Sequence, residues 1–295
     1  MKKIIMRYLK YQLKKNQWGN RLLLSREVNK KIIEKKDEFH VDCKKYGFKA
    51  EETTPIKKLK KKLIKSRDNR DTCNIIGSGK SALKAIENYN PKEAYFTCNF
   101  GGLLDIDFDL YVNEVGTSKS EDMRILEVSE LIKKVILERK HKTKNLIFKN
   151  IWQGNISKQY LDKNYSNYTL IRDILLPEQS KLQNEEELDI LFGKMFNSKH
   201  FFVLQVHTTI LTLVQFAVWS GYKTINIYGL EGKGSHFFHY NHDFKNQRLV
   251  EIIREHLPAV DDEHIHKTGF KARKLIKPMA NFLKKKFKTE LNLMN

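Results

Sequence analysis

From Asp71 onward, short apolar or β-branched runs alternate with longer stretches whose apolar residues recur every three or four positions. The runs 72–77 (TCNIIG), 94–98 (AYFTC), 108–113 (FDLYVN), 144–149 (KNLIFK), 201–204 (FFVL) and 223–228 (KTINIY) predict strands. Positions 81–89, 121–140, 183–197 and 208–220 predict helices between them. This alternation predicts an α/β fold: a single Rossmann-like domain with a mostly parallel sheet and helices on both faces. Neither an internal repeat nor a low-complexity stretch interrupts it.

The first seventy residues have a different pattern. Ile4, Ile5, Tyr8, Leu9, Leu13 and Trp18 stand at mixed three- and four-residue steps among lysines, so 2–36 reads as helical. An interfacial amphipathic helix and a helix packed on the main domain both fit that composition. Positions 56–67 read as a short basic linker or helix. The predicted organisation is a basic, helical extension over 1–70 followed by the main domain over 71–295.

Charge sharpens this division. Residues 1–70 hold 23 Lys/Arg against 8 Asp/Glu, and residues 267–295 hold 9 against 1. The chain carries +20 overall, so the middle, 71–266, is nearly neutral at −3. A nucleic-acid enzyme concentrates positive charge around its site, so the neutral middle disfavours a nucleic-acid partner. Basic ends on a neutral body fit an anionic membrane surface, where each Lys or Arg contributes roughly 1 kcal/mol. A solvated charged surface is the plain alternative. Three scattered cysteines, Cys43, Cys73 and Cys98, show neither a disulfide framework nor metal-ligand spacing and fit a reducing compartment. With no apolar run long enough to cross a bilayer and no secretory signal pattern, the chain is expected to be soluble and intracellular.

Four constellations can carry chemistry. Gly77-Ser78-Gly79-Lys80-Ser81 follows a strand directly. It ends like a P-loop, but Asn74 stands where the first glycine of that motif belongs, and Ala82 replaces the third glycine of a dinucleotide fingerprint. What remains is a tight turn feeding a helix start, either a place for an anionic ligand or a purely structural βα turn. Asn99 and Asn113 end predicted strands, where ligands bind in open α/β sheets, and their amides can read a base or a ribose. Thr208 and Thr209 cap a predicted helix that Gly221 ends, and the strand after it delivers Glu231 to the same edge. Six of the ten histidines lie between 236 and 266 (His236, His239, His242, His256, His264, His266), and His207 precedes them. Histidine is the natural general base near neutral pH. The spacing of His and carboxylates suggests no zinc cage, so no metal is assigned.

Together these blocks resemble the bacterial lipo-oligosaccharide sialyltransferases of glycosyltransferase family 42. That family's first turn, GNGPSL, is matched by Gly77 to Leu83 with an insertion-like mismatch, Ser78 standing for asparagine and Lys80 for proline. Its second strand ends in CN, as Cys98-Asn99 does, and its third in YN, close to Tyr111-Val112-Asn113. Its GYKEIYLSGID block is matched by Gly221 to Glu231, with glutamate for aspartate, and its TSG helix start by Thr208-Thr209-Ile210. The histidine pattern ahead of its basic helix and last strand has a counterpart in 261–267, ahead of KARKLIKPMANFLKKKFKTELNLM.

The resemblance implies a GT-A-like variant of the Rossmann-like fold, with 71–295 as a nucleotide-sugar transferase domain. It implies a metal-independent, inverting enzyme without a cofactor. This enzyme would move a sialic acid or related nonulosonic acid from a CMP-activated donor to a cell-surface glycolipid or oligosaccharide. The implied donor-site residues are Gly77, Ser78, Gly79, Ser81, Asn99, Asn113, Thr208, Thr209 and Glu231. The implied base is His266, with His264 next and His239, in the place of the family's mobile acceptor lid, as the rival. Expected partners are the CMP-sugar, the glycolipid and an anionic membrane, with a homo-oligomer allowed; the expected location is cytoplasmic, peripheral on the inner face of the bacterial inner membrane. Two alternatives stay open: a transferase for another nucleotide-activated sugar, or a non-catalytic protein of membrane surfaces or nucleic acid.

Overall fold

The computed structural model describes residues 54–114, 123–149, 158–175, 185–199, 203–206, 208–231 and 263–294, with positions 26, 29, 30 and 251. The expected 2–36 helix therefore lies outside the described residues, apart from helical positions 26, 29 and 30. In chain order the strands are β1 Thr72–Ile76, β2 Ala94–Cys98, β3 Leu110–Glu114, β4 Leu146–Lys149, β5 Thr169–Ile171, β6 Asp173–Leu175, β7 Val203–Gln205, β8 Thr224–Tyr228 and β9 Glu290–Leu293. The α-helices are α1 Ile56–Arg67, α2 Lys84–Glu87, α3 Met123–Arg139, α4 Lys158–Asn164, α5 Glu185–Phe196, α6 Thr209–Ser220 and α7 Glu263–Phe287.

Seven strands form one sheet in the order β5-β4-β3-β2-β1-β8-β9, and every pair in it is parallel. From β1 the chain runs outward through β2 to β5, then returns to lay β8 and β9 on the other side of β1. The order thus reverses between β1 and β8, and that reversal is the topological switch point of an open α/β sheet. The strand predicted at 201–204 is placed at Val203–Gln205 and does not join this sheet. It pairs with β6 as a separate parallel two-stranded sheet. Neither β5 nor β6 stood out in the sequence, because each is three residues long and only Arg172 separates them.

The two sheet faces have separate cores. Cys73, Ile75, Phe96 and Ile225 pack under α6, whereas Ile76, Tyr95, Phe108 and Tyr228 gather with Ala82 and Ala85 on the opposite face. All twelve residues of α6 are buried. A helix that is apolar nearly all round has to be surrounded by protein. Two of its side-chain donors find partners inside: Trp219 Nε1 donates to the Phe196 carbonyl at 2.7 Å, and Gln215 Nε2 donates to the Met195 carbonyl. Gly221 closes the helix in the left-handed region at φ +84°, as the sequence predicts.

Residues 56–67 form a helix whose lysines mask a core element. Ile56, Leu59 and Leu63 are buried along one stripe and pack with the α6 core, while Lys57, Lys58, Lys61 and Lys65 are exposed. Lys60 lies 4.3 Å from the Trp219 ring centre, and Lys62 Nζ donates to Thr169 Oγ1 at 2.8 Å. These stems cover apolar surface while their ammoniums reach polar groups.

Across β1, β8 and β9, three asparagines are bonded strand to strand. Asn74, Asn226 and Asn292 are in register on β1, β8 and β9. Asn292 Nδ2 donates to Asn226 Oδ1 at 3.1 Å, Asn226 to Asn74 at 3.0 Å, and Asn74 to Glu93 Oε2 at 2.6 Å. At the amino edge, Arg70 grips Asp109 with two hydrogen bonds of 2.7 Å, and Asp109 also accepts from Lys144 and from the Tyr95 amide. Burial pushes the Asp109 carboxyl up, but the hydrogen bonds from Arg70 and Lys144 outweigh it and hold the group below the usual carboxylate range.

This clamp gives a stability prediction. Asp109→Asn leaves Arg70 partly buried without its counter-charge and should cost about 3–5 kcal/mol in urea unfolding. The Asp109 contribution is fully present above the pKa it has in the unfolded chain and fades as pH falls through its lower folded value. The variant should therefore lose that part of the acid dependence. A loss below about 0.5 kcal/mol would show that the clamp is not holding the amino edge.

Candidate functional site

The carboxyl ends of β1 and β8 meet through backbone alone. The Gly77 amide donates to the Tyr228 carbonyl at 2.8 Å and the Gly79 amide to the Gly229 carbonyl at 3.1 Å. A Cβ on Gly77 would stand 2.5 Å from the Gly229 oxygen and 2.6 Å from Ile210 Cδ1. Gly229, at φ +73°, has no room either: its Cβ would be 2.7 Å from the Gly77 carbonyl carbon. Only two glycines allow this approach. The contact also sets the first turn of α6 beside the end of β1, since Ile210 belongs to that turn.

Thr208 is the N-cap of α6, and its Oγ1 accepts the Ile210 amide at 3.3 Å. Thr209 is the first helical residue and is buried. After Gly79 the chain makes a 3₁₀ turn, Lys80–Leu83, before α2, so the helix predicted over 81–89 is shorter and tighter. Ser81 joins the two crests: its Oγ accepts the Gly229 amide at 2.8 Å, and its own amide donates to Glu231 Oε1 at 2.5 Å. Gly77, Gly79, Ser81 and Glu231 thus form one bonded cluster, with Ser78 half-buried at its rim.

At the ends of β2 and β3, one and two strands from β1, stand the asparagines. Asn99 follows β2 in the left-handed region at φ +46°, opening the 3₁₀ turn Asn99–Leu103, and its carbonyl accepts the Tyr111 hydroxyl at 2.5 Å. Its side-chain Oδ1 is buried without a hydrogen-bond partner. Asn113 near the end of β3 is fully buried, and both its Oδ1 and Nδ2 lack partners. Each such group costs about 1–3 kcal/mol unless something bonds it. Buried polar groups are nearly always bonded, so amides left over at a ligand edge fit a bound polar molecule or water.

The structure adds a group with no sequence signal. Lys149, at the end of β4, is fully buried; its Nζ donates to Asp173 Oδ2 at 3.0 Å and to Gln205 Oε1. Thr212 Oγ1 also donates to Gln205 Oε1, at 3.3 Å. This knot ties β4 to the β6–β7 pair and to α6. Its members come from four separate segments, so no local pattern announces it.

The candidate bases are less defined. The counterpart motif 261–267 was expected ahead of the basic helix, but α7 begins at Glu263, so His264 and His266 belong to its first turn. Helical pattern and histidine motif overlap there. His239 and His207 lie outside the described residues, as does Cys43; Cys73 and Cys98 are buried. Among the described residues no three His, Cys, Asp or Glu side chains converge as a metal site, and no helix is long and apolar enough to cross a membrane.

No family model matches the chain, and no curated protein matches it. Solved structures do. A variant of the sialyltransferase CST-II in complex with CMP shares 18% identity and a TM-score of 0.42, covering 76% of this chain and 81% of that one. The sialyltransferase CstII from Campylobacter jejuni in complex with the substrate analogue CMP-3FNeuAc gives 17% and 0.36, covering 76% and 79%. The monofunctional alpha-2,3-sialyltransferase Cst-I from Campylobacter jejuni gives 17% and 0.36, covering 77% and 76%.

Proposed function

We propose that the chain is a glycosyltransferase that moves a sialic acid, or a related nonulosonic acid, from a CMP-activated donor to a cell-surface glycolipid. The observation that carries this reading is the buried, unpartnered Oδ1 of Asn99 together with the buried, unpartnered amide of Asn113, at the carboxyl ends of neighbouring strands on one side of the β1–β8 switch point. An asparagine amide offers a donor and an acceptor together, which matches the edge of a nucleobase or a ribose. The matched blocks from Gly77 to Leu83 and from Gly221 to Glu231 narrow the nucleotide to CMP.

In the proposed reaction the acceptor hydroxyl attacks the anomeric carbon with inversion. The new carbon–oxygen bond forms as the bond to the phosphate breaks, CMP leaves with the electron pair, and the hydroxyl proton passes to an imidazole. We assign that base to His266, ahead of His264 and His239, because it must come within hydrogen-bond reach of the acceptor. CMP is a good enough leaving group that the scheme assigns no metal. Fixed dipoles at the sheet edge stabilise the oxocarbenium-like transition state.

The basic face of α1 supports attachment to an anionic membrane, on the inner face of the inner membrane. Lys57, Lys58, Lys61 and Lys65 are exposed there beside Ile64, which is 56% exposed, and Lys284, Lys285 and Lys286 are exposed near the end of α7.

Calorimetric titration of folded protein with CMP should give saturable binding, and no affinity for CMP would remove the donor assignment. Asn113→Leu should weaken CMP binding at least tenfold, about 1.4 kcal/mol, while the thermal midpoint holds or rises, since an unsatisfied buried amide is gone. A variant that binds CMP as the parent does would exclude Asn113 from the site. His266→Ala should abolish transfer to a glycolipid acceptor and leave CMP affinity intact; activity within a few-fold of the parent would move the base to His264 or His239. Replacing Lys57, Lys58, Lys61 and Lys65 by Glu should strip binding to phosphatidylserine vesicles and its salt dependence, with CMP affinity unchanged. Vesicle binding equal to the parent's would clear α1 of that role.

A further inference from the structure

We propose that Glu231 is a charge filter on the turn after β1, one that admits a nucleoside monophosphate ester to the switch-point crevice and turns away a pyrophosphate. This rests on the nucleotide-donor reading and assigns one residue the choice within it. In nucleotide-binding α/β folds the glycine turn after the first strand presents its amides to a pyrophosphate. Here that place is filled from within the chain. The Ser81 amide already donates to Glu231 Oε1 at 2.5 Å, the Gly79 amide to the Gly229 carbonyl, and Ser81 Oγ accepts from the Gly229 amide.

The carboxylate lies directly over Gly79. A Cβ at that position would stand 1.3 Å from Glu231 Oε2, so the glycine is what makes room for the glutamate. Oε2 itself is buried and has no hydrogen-bond partner. Its negative charge is therefore poorly screened by water and sits over the Gly79–Ser81 turn. The helical segment behind the turn offers little in compensation. It is a four-residue 3₁₀ turn followed by a four-residue helix, too short to build much positive potential at its start.

A pyrophosphate must extend along the turn and meet this carboxylate with its second phosphate. A monophosphate ester carries one phosphate and can keep clear of it. Negative charge placed by the protein thus selects against the more heavily charged ligand, which is specificity achieved by repulsion.

Titrating the full chain with CMP and with CDP tests the filter. The parent should bind CMP at least tenfold tighter than CDP. Glu231→Gln keeps an oxygen acceptor for the Ser81 amide but removes the charge, so the preference for CMP over CDP should fall about tenfold. Glu231→Asp keeps the charge and should keep most of the preference for CMP. A Gln variant with the parent's CMP-to-CDP ratio overturns the filter, as does an Asp variant that loses the ratio. If neither variant folds by circular dichroism, the parent alone decides: equal affinity for the two nucleotides overturns the proposal, and a tenfold preference upholds it. A parent that binds CMP without discrimination defeats the filter only, whereas one that binds neither nucleotide defeats the donor reading and the filter with it.

Discussion

The close approach of Gly77 and Gly229 is the constraint on which the rest of the molecule's working edge depends. Two strands that arrive from opposite halves of the chain end side by side, and a Cβ on either residue would collide with the other's backbone. Because the main chains touch, the crests can share hydrogen bonds, with the Gly77 and Gly79 amides on one side and the Tyr228 and Gly229 carbonyls on the other. Ile210 of α6 is held against the same spot. The position of Glu231 beside Ser81 follows from this contact, because residue 231 stands only two places after Gly229. A larger residue at 77 or 229 would part the strands and disperse the cluster.

The distribution of buried polar groups separates the two edges of the sheet. At the amino edge, Asp109 accepts from Arg70, Lys144 and the Tyr95 amide. Across the middle, Asn74, Asn226 and Asn292 pass hydrogen bonds from strand to strand and end on Glu93. At the carboxyl edge the pattern changes, and Asn99, Asn113 and Glu231 each keep a buried atom without a partner. Stability alone would favour apolar residues there, since an unbonded buried amide costs more than a side chain of similar shape without one. The edge where strand order reverses is thus also an edge that departs from the most stable solution. Functional sites commonly show that departure.

Lys149 occupies an intermediate position. It is a fully buried cation, yet it is compensated by Asp173 and by the Gln205 amide oxygen. A buried pair of this kind adds little net stability compared with apolar packing, but its hydrogen-bond directions specify how the parts around it are arranged. In this fold it fixes the small β6–β7 sheet against the end of β4, and Thr212 extends the same constraint to α6.

The sequence by itself determined the elements whose signals are local. Strand β8, helix α6 and its boundaries at Thr208 and Gly221, and the central strands β1 to β4 were all legible, because apolar periodicity, a capping hydroxyl and a terminating glycine lie within a few residues of one another. Asn99 and Asn113 were legible as candidates for the same reason, each being a polar residue that closes an apolar strand. The tertiary structure alone decided where strand order reverses, that residues 173–175 and 203–205 form a sheet of their own, and that α1 contributes Ile56, Leu59 and Leu63 to the core despite its lysines. It alone decided the partners of Ser81, Lys149 and Glu231. Those contacts join residues up to 150 positions apart, and no local periodicity records a hydrogen bond between segments that meet only when the sheet has formed.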